Sequence, residues 1–332
     1  MTSREIIKRN LSGKDTGRFG MRFSDGRYDD FASAGVGSSA GWEKKTWTEG
    51  DTEFYTDEWG NTWHCLVGVN ARGEIYKPAL QDWGQLKDWP LPDMDNPTRY
   101  LQVKEAYAKA PDKYCLGHLP GFPFAISRYL RKMEIYFQDL ILEREYIDEL
   151  HDKVTGLLER MIRQFAGAGA DGVFFCEDWG IQDRLLISPE MWREIFKPLF
   201  RRLCGVAHKS GLQVLMHSCG YNWAILDDLA EVGINAFQFD QTEVYGLERL
   251  AAKLKALGVC LWSPVDIQKI MPTGNKELIE KSAERMVELF FNQNGRFIAN
   301  NYGDLKGIGV EEEWDKWAYD KFVSLAGLNR RS

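Results

Sequence analysis

A chain of 332 residues, 44% apolar and 27% charged, carries enough apolar material for a sizeable core. Its formal net charge of −7 argues against nucleic acid, whose phosphates require a basic face. The apolar runs are short and broken by charge, so no stretch reads as a membrane span.

The N-terminal stretch MTSREIIKRNLSG has a polar, helical pattern and no apolar signal-peptide core. Six cysteines, at 65, 115, 176, 204, 219 and 260, show no small-domain disulfide spacing. Both features lead us to expect reduced thiols and a cytoplasmic protein. Residues 53–80, EFYTDEWGNTWHCLVGVNARGEIYKPAL, read as β-hairpin material. YCLGHLPGFP, 114–123, reads as a strand and loop, and a helical stretch over about 125–168 follows.

From residue 171 onward the pattern becomes regular. The run DGVFFCEDWG precedes a helix with Ser188 at the N-cap, Pro189 in the first turn, and Glu190 and Glu194 near its positive end. Pro198 lies inside that helix and predicts a kink. The strands LQVLMHSCG, INAFQFDQT, VCLWSPVDI and RFIANNYGD then each precede a helical segment, the first of these helices stopped by Gly233. Five strand–helix units with short links imply parallel strands, in either a doubly wound sheet or a closed (β/α)8 TIM barrel. No glycine-rich dinucleotide loop follows any strand. Each strand instead ends in polar residues: Glu177 and Asp178, His217 and Cys219, Asp240, Asp266, then Asn300, Asn301 and Asp304. That placement favours the barrel, whose catalytic face lies at the strand C-termini. We expect a single domain over 1–332, with N-terminal helical and hairpin elaborations and the first barrel elements in 1–110 and the main βα repeats in 111–325.

His217 and Cys219 are two apart on a strand, so they share a face and both suit zinc. Gly220 permits a sharp exit behind them. Cys219 can equally be a small buried residue, with His217 satisfied by a carboxylate. Glu177 and Asp178 are adjacent and point to opposite sides, so one of them enters the site; the alternative is that one caps a helix and the other pairs with Arg184. Of the two, Glu177 is the expected site residue. Asp240 can be a ligand, a proton carrier or the partner that orients His217. The metal set expected is therefore His217, Cys219, Glu177 and Asp240.

The stretch 171–242, with ISPEMWREIFKPLFRRL, HSCG and DLAEVGINAFQFD in order, resembles the uroporphyrinogen decarboxylase superfamily. GFPFAISRYL (121–130) resembles that family's loop before the long helix, and DEWGNTW (57–63) resembles the N-terminal hairpin of its methyltransferase members. The resemblance spans roughly 1–325 and implies the (β/α)8 barrel. It also implies one of two chemistries. The decarboxylases hold a tetrapyrrole through N-terminal arginines and an aspartate without metal, and Arg18, Arg22 and Arg27 superficially echo that motif. The corrinoid-dependent methyltransferases hold zinc through a His-x-Cys pair, which His217 and Cys219 match, with a further cysteine near the last strand.

The chain fits the second branch better, with one departure. RFIANNYGDLKG has Asn300, Asn301 and Tyr302 where thiol-methylating members carry that cysteine. A zinc with fewer thiolates is the stronger Lewis acid, better suited to an ether oxygen than to a thiol. The resemblance therefore implies methyl transfer from a small methylated donor, a methoxylated aromatic being favoured, to cobalt in a corrinoid (cobalamin) carried by a partner protein. The alternatives are metal-free decarboxylation and a non-catalytic ligand-binding paralogue. Tyr302, Asp240 and Glu177 are the candidate catalytic groups. The substrate-lining candidates are Trp59, Trp179, Tyr221, Trp223, Trp262, Asn301 and His118, with Trp63 beside them. No nucleic-acid or membrane partner is expected, and a homodimer is left open.

Overall fold

A computed structural model describes residues 1–68 and 73–328. Helix α1 (Ser3–Ser12) opens on a capping box between Thr2 and Glu5. Strands β1 (Gly20–Arg22) and β2 (Phe31–Gly35) follow. A separate antiparallel sheet is made by β3 (Thr46–Glu49), β4 (Thr52–Thr56), β5 (Thr62–Leu66) and β6 (Glu74–Lys77), in that order. It is the hairpin material expected over 53–80, although part of that stretch, 69–72, lies outside the described residues. Next come α2 (Leu101–Ala108) and β7 (Tyr114–His118). The helical stretch expected at 125–168 is three helices: α3 (Pro123–Arg131), α4 (Met133–Leu142) and α5 (Arg144–Gly167). The first break falls at Lys132, whose φ of +67° cannot continue a helix, and the second at Glu143.

The regular part then runs β8 (Gly172–Cys176), α6 (Pro189–Lys209), β9 (Gln213–His217), α7 (Leu226–Val232), β10 (Ala236–Gln238), α8 (Leu247–Leu257), β11 (Cys260–Ser263), α9 (Lys276–Met286), β12 (Phe297–Asn300) and α10 (Glu312–Leu325). Ser188 caps α6 by accepting from the Met191 amide, and the helix continues through Pro198 as one element. Eight strands form one parallel sheet in the order β1-β12-β11-β10-β9-β8-β7-β2. Asp30 stitches the two ends of that sheet. Its amide donates to Met21 O and its carboxylate accepts from Met21 N, each at 2.8 Å. The result is a (β/α)8 TIM barrel carrying an added hairpin sheet, as expected.

Alternation along each strand sorts its side chains. Phe31, Tyr114, Leu116, Phe174, Leu215, Ala236, Cys260, Trp262 and Ile298 pack together in the barrel interior, joined by Ile7 and Leu11 of α1. Val173, Phe175, Val214, Met216, Phe237 and Leu261 belong to the layer shared with the helices. Gly20 allows α1 to plug the barrel, because a Cβ there would lie 2.4 Å from the Ile7 side chain. Among the described residues no helix is long and apolar enough to cross a membrane.

Candidate metal centre and substrate cavity

The interior parity of β9 continues from Leu215 to His217, and the chain then turns through Ser218 and Cys219. That turn requires Gly220. Its φ is +75°, and a Cβ there would lie 2.2 Å from the Gly180 carbonyl oxygen. Asn222 and Tyr245 hold the turn: the Tyr245 hydroxyl donates to Gly220 O at 2.6 Å and accepts from Asn222 N at 3.0 Å. Cys219 Sγ consequently lies 3.3 Å from His217 Nε2.

The carboxylate that joins this pair is Asp178, not Glu177. Asp178 Oδ1 lies 3.4 Å from His217 Nε2 and accepts from the Cys219 amide at 2.8 Å. Asp178, His217 and Cys219 present O, N and S atoms within 4.8 Å of one another. Parity explains the exchange. Asp178 continues the barrel-facing series of Phe174 and Cys176, whereas Glu177 continues the helix-facing series of Val173 and Phe175. Glu177 is fully buried and accepts from the Ala125 amide at 2.9 Å in the first turn of α3. It plays the helix-capping role open to one of the two residues, and burial raises its pKa to about 8.

A buried relay orients the imidazole. Gln238, last in β10, donates from Nε2 to Asp240 Oδ1 at 2.6 Å. Its Oε1 therefore faces His217 Nδ1, which must be the donor in that hydrogen bond. Nε2 is left toward Asp178 and Cys219, the nitrogen through which His217 would ligate a metal once its proton is displaced. Asp240 Oδ2 lies 3.8 Å from Nδ1 and acts one step back from the donors, through Gln238. Burial opposes a charge on His217, yet Asp178, Cys219 and Asp240 together hold its pKa well above the ordinary value. Burial pushes the Cys219 thiol up, with His217 pulling the other way. Asp178 resists its own burial through His217 and stays ionised, well below the usual carboxylate range. An aligned imidazole with a thiol and an ionised carboxylate fits zinc: three protein donors, with room for a fourth ligand.

The other candidates are placed unevenly. Tyr302 lines a separate small cavity with Pro264, Val265, Met271 and Asn300, and burial, with Asp240 and Cys219 adding to it, raises its pKa. Trp262 lies inside the barrel, stacked on Phe31 at 5.4 Å, with the Arg22 guanidinium 5.0 Å from its ring centre. His118 ends β7 against Phe174, and burial, aided by Arg22, lowers its pKa to about 4. Asn301 is committed to Ser24. Three tryptophan and tyrosine candidates lie off the site. Trp179 is fully buried among Phe124, Trp192 and Phe196, because it shares Glu177's helix-side layer. Trp223 lies under Arg249 at 3.7 Å, and Tyr221 stacks on Tyr245 and accepts from Arg249. Both follow the turn, where strand parity no longer directs side chains inward.

Beside the donors opens a cavity of about 260 Å³, lined by Cys176 and Asp178 below and by Tyr55, Trp59, Trp63, Ile126, Arg128 and Tyr129 around it. The DEWGNTW stretch shapes its wall. Asp57 accepts from the amides of Trp59 and Asn61, from Asn61 Nδ2 and from Trp63 Nε1 at 2.7–3.0 Å. Glu58 pairs with the buried Arg99 at 2.6 Å, which ties the hairpin sheet to the barrel. Trp63 stacks on Tyr55 and meets Tyr129 at 4.9 Å. Sequence reasoning named Trp59 and Trp63. It missed Gln238, Arg128, Tyr129 and Tyr55, and chose Glu177 over Asp178. Strand parity could have found Gln238, two residues after Ala236. No sequence signal places Tyr55 opposite Tyr129.

Among solved structures, a methyltransferase from Methanosarcina mazei superposes with a TM-score of 0.61 at 16% identity, covering 77% of this chain and 73% of its own. A sugar phosphate isomerase/epimerase from Parabacteroides distasonis gives a TM-score of 0.38 at 12% identity, over 68% of this chain and 74% of its own. At these identities the first likeness shows the fold, and the second carries no further argument. No curated protein matches the chain. The sequence model of uroporphyrinogen decarboxylase (URO-D) matches residues 73–302, well over half of the length, and the chain belongs to that family.

Proposed function

We propose that the protein is a methyltransferase that moves a methyl group from a small methoxylated aromatic compound to the cobalt of a corrinoid carried by a partner protein. The observation that carries this reading is the Asp178–His217–Cys219 donor set, with His217 turned toward it by Gln238 and Asp240. A zinc ion held there supplies a Lewis acid for the ether oxygen. The protein's own part is orientation and charge. Asp178, His217 and Cys219 hold the metal, and the Gln238–Asp240 relay keeps His217 in its ligating tautomer. Trp59, Trp63, Tyr55 and Tyr129 align a ring beside it and screen it from water. Tyr302 donates a hydrogen bond to the departing oxygen. The likeness of fold to a methyltransferase agrees with this reading.

The decarboxylase reading rests on the N-terminal arginines. Arg22 favours it: the side chain is buried over Phe31 and Trp262, with no hydrogen bond or ion pair among the described residues. Arg18, however, is spent on Asp30 at 2.6 Å and Arg27 on Asp315 at 2.7 Å. A cavity of about 260 Å³ also suits one ring better than a tetrapyrrole, since pockets for drug-sized ligands span roughly 300–1,000 Å³. The deciding experiment is incubation of the zinc-loaded protein with a methoxylated aromatic and a reduced corrinoid protein. Methylcobalt formation dependent on His217 supports the proposal. Decarboxylation of a tetrapyrrole by the metal-free protein refutes it.

A further inference from the structure

We infer that the cavity beside the metal donors takes an aromatic carboxylic acid, its ring held between the hairpin sheet and α3 and its carboxylate received by Arg128. This rests on the proposed function only for the methyl group that the ring would carry. The acid site itself is read from the cavity.

Two features of the lining define the ligand. The first is flat: Tyr55 and Trp63 stack with their planes 1° apart, and Tyr129 meets Trp63 at 4.9 Å. Rings in such a wall favour offset or edge contacts with a further aromatic ring. The second is charge. A cationic ligand would also suit aromatic walls, but here the sites for one are taken. Lys44 Nζ already lies 4.0 Å from the Tyr55 ring centre, and Asp57 is engaged by four donors from its own turn. Asp178 turns its Oδ1 to His217 and the Cys219 amide.

Among the described residues Arg128 is the one cation in the lining, and it is poorly satisfied. Its Nη2 makes a long 3.3 Å contact with the Tyr129 hydroxyl, and Asp178 Oδ2 stands off at 3.9 Å. Its Nε is buried without a hydrogen-bond partner. The guanidinium lies over Phe124 and Tyr129 at 5.2 and 5.1 Å, which fixes its plane. A planar, fixed, under-bonded fork at the edge of an aromatic slot matches a carboxylate in two-point contact. Because Asp178 lies between Arg128 and His217, an acid held at Arg128 would lay its ring alongside the metal donors.

The test is calorimetric titration of the full-length protein, without corrinoid partner, with three probes: 4-methoxybenzoate, anisole and 4-methoxycyclohexanecarboxylate. We expect 4-methoxybenzoate to bind tighter than anisole, which lacks the acid, by roughly 10–100-fold, the cost of leaving a charged hydrogen-bonding group unpaired. The cyclohexane acid, which lacks the flat ring, should also bind more weakly. R128Q should lower 4-methoxybenzoate affinity to that of anisole while leaving anisole binding and zinc content unchanged. R128K, which keeps the charge without the fork, should recover part of the loss. Equal affinities for 4-methoxybenzoate and anisole, an equal loss of both in R128Q, or no binding of any probe to the unmodified protein would overturn the inference. If R128Q does not fold, the three-probe series on the unmodified protein decides alone. Acid-dependent binding without methyl transfer would sink the proposed function and leave this site standing. Methyl transfer from anisole as readily as from the acid would do the reverse.

Discussion

Asp178, His217 and Gln238 stand at the ends of three adjacent parallel strands, within or next to a buried hydrogen-bond relay. Tyr55, Trp59 and Trp63 stand on or beside an antiparallel sheet whose first strand, β3, is exposed along its whole length. The two regions meet at one cavity, which Asp178 lines from the barrel and Tyr55, Trp59 and Trp63 line from the sheet. In the first, position follows from register: Cys176 lies opposite His217, and His217 opposite Gln238, so a displaced donor would break a ladder. In the second, position depends on one carboxylate, Asp57, and one ion pair, Glu58–Arg99. On the proposed function the barrel would supply the exacting chemistry, and the appended sheet a wall that can change without disturbing it.

Variants in the two regions should accordingly fail in different ways. The largest effect is expected for His217→Ala combined with Cys219→Ala. Zinc falls from about one per chain to none by metal analysis, and methyl transfer drops by on the order of 10³-fold or more. Full zinc in that double variant would remove the chemistry from the barrel end. In the same series Asp178→Ala loses zinc, whereas Glu177→Gln retains it.

One group makes the barrel sensitive to acid. His151, on α5, is fully enclosed and bonded to the Tyr136 hydroxyl at 2.7 Å, and burial lowers its pKa from 6.5 to about 3. The unfolded chain takes up a proton below pH 6.5 that the native state refuses. Stability is therefore complete above that pH and is lost as pH falls toward 3. By pH 5 the loss from this group should be about 2 kcal/mol in urea unfolding, and His151→Gln should remove it. An unchanged pH profile in that variant would show the imidazole to be charged in the fold.

Gln238→Leu removes the relay while keeping the donors. Zinc affinity should fall roughly 10–100-fold in a chelator competition, with substrate affinity at saturating zinc preserved. Trp63→Leu should do the opposite, weakening aromatic ligand binding about tenfold and leaving zinc affinity alone. If Trp63→Leu strips the metal, the two regions are one unit and the contrast collapses. The smallest effect is expected for Tyr302→Phe, a roughly 2–10-fold fall in kcat with KM and zinc unchanged, since one hydrogen bond to the leaving oxygen is lost.

The sequence by itself determined the parallel strand–helix plan, because repeated units with short links leave few topologies, and the polar residues ending each strand favoured the barrel over a doubly wound sheet. It also pointed to the His217–Cys219 pair, but on strand parity, whereas β9 ends at His217 and it is the turn through Gly220, held by Asn222 and Tyr245, that brings the Cys219 thiol to the imidazole. It did not reveal β1 and β2, short strands in a stretch that reads as an arginine motif. Nor could it choose between Glu177 and Asp178. VFF before them is apolar at every position, and a strand buried on both faces hides its own parity. Tertiary structure made that choice, by packing Phe175 against the helices and turning Phe174 inward. It also decided the cavity, because Tyr55, Trp63, Arg128 and Asp178 come from an appended sheet, a helix and a strand end far apart in the chain. Local pattern fixes which way a side chain points along its own element. Only the packing of elements fixes what it meets there.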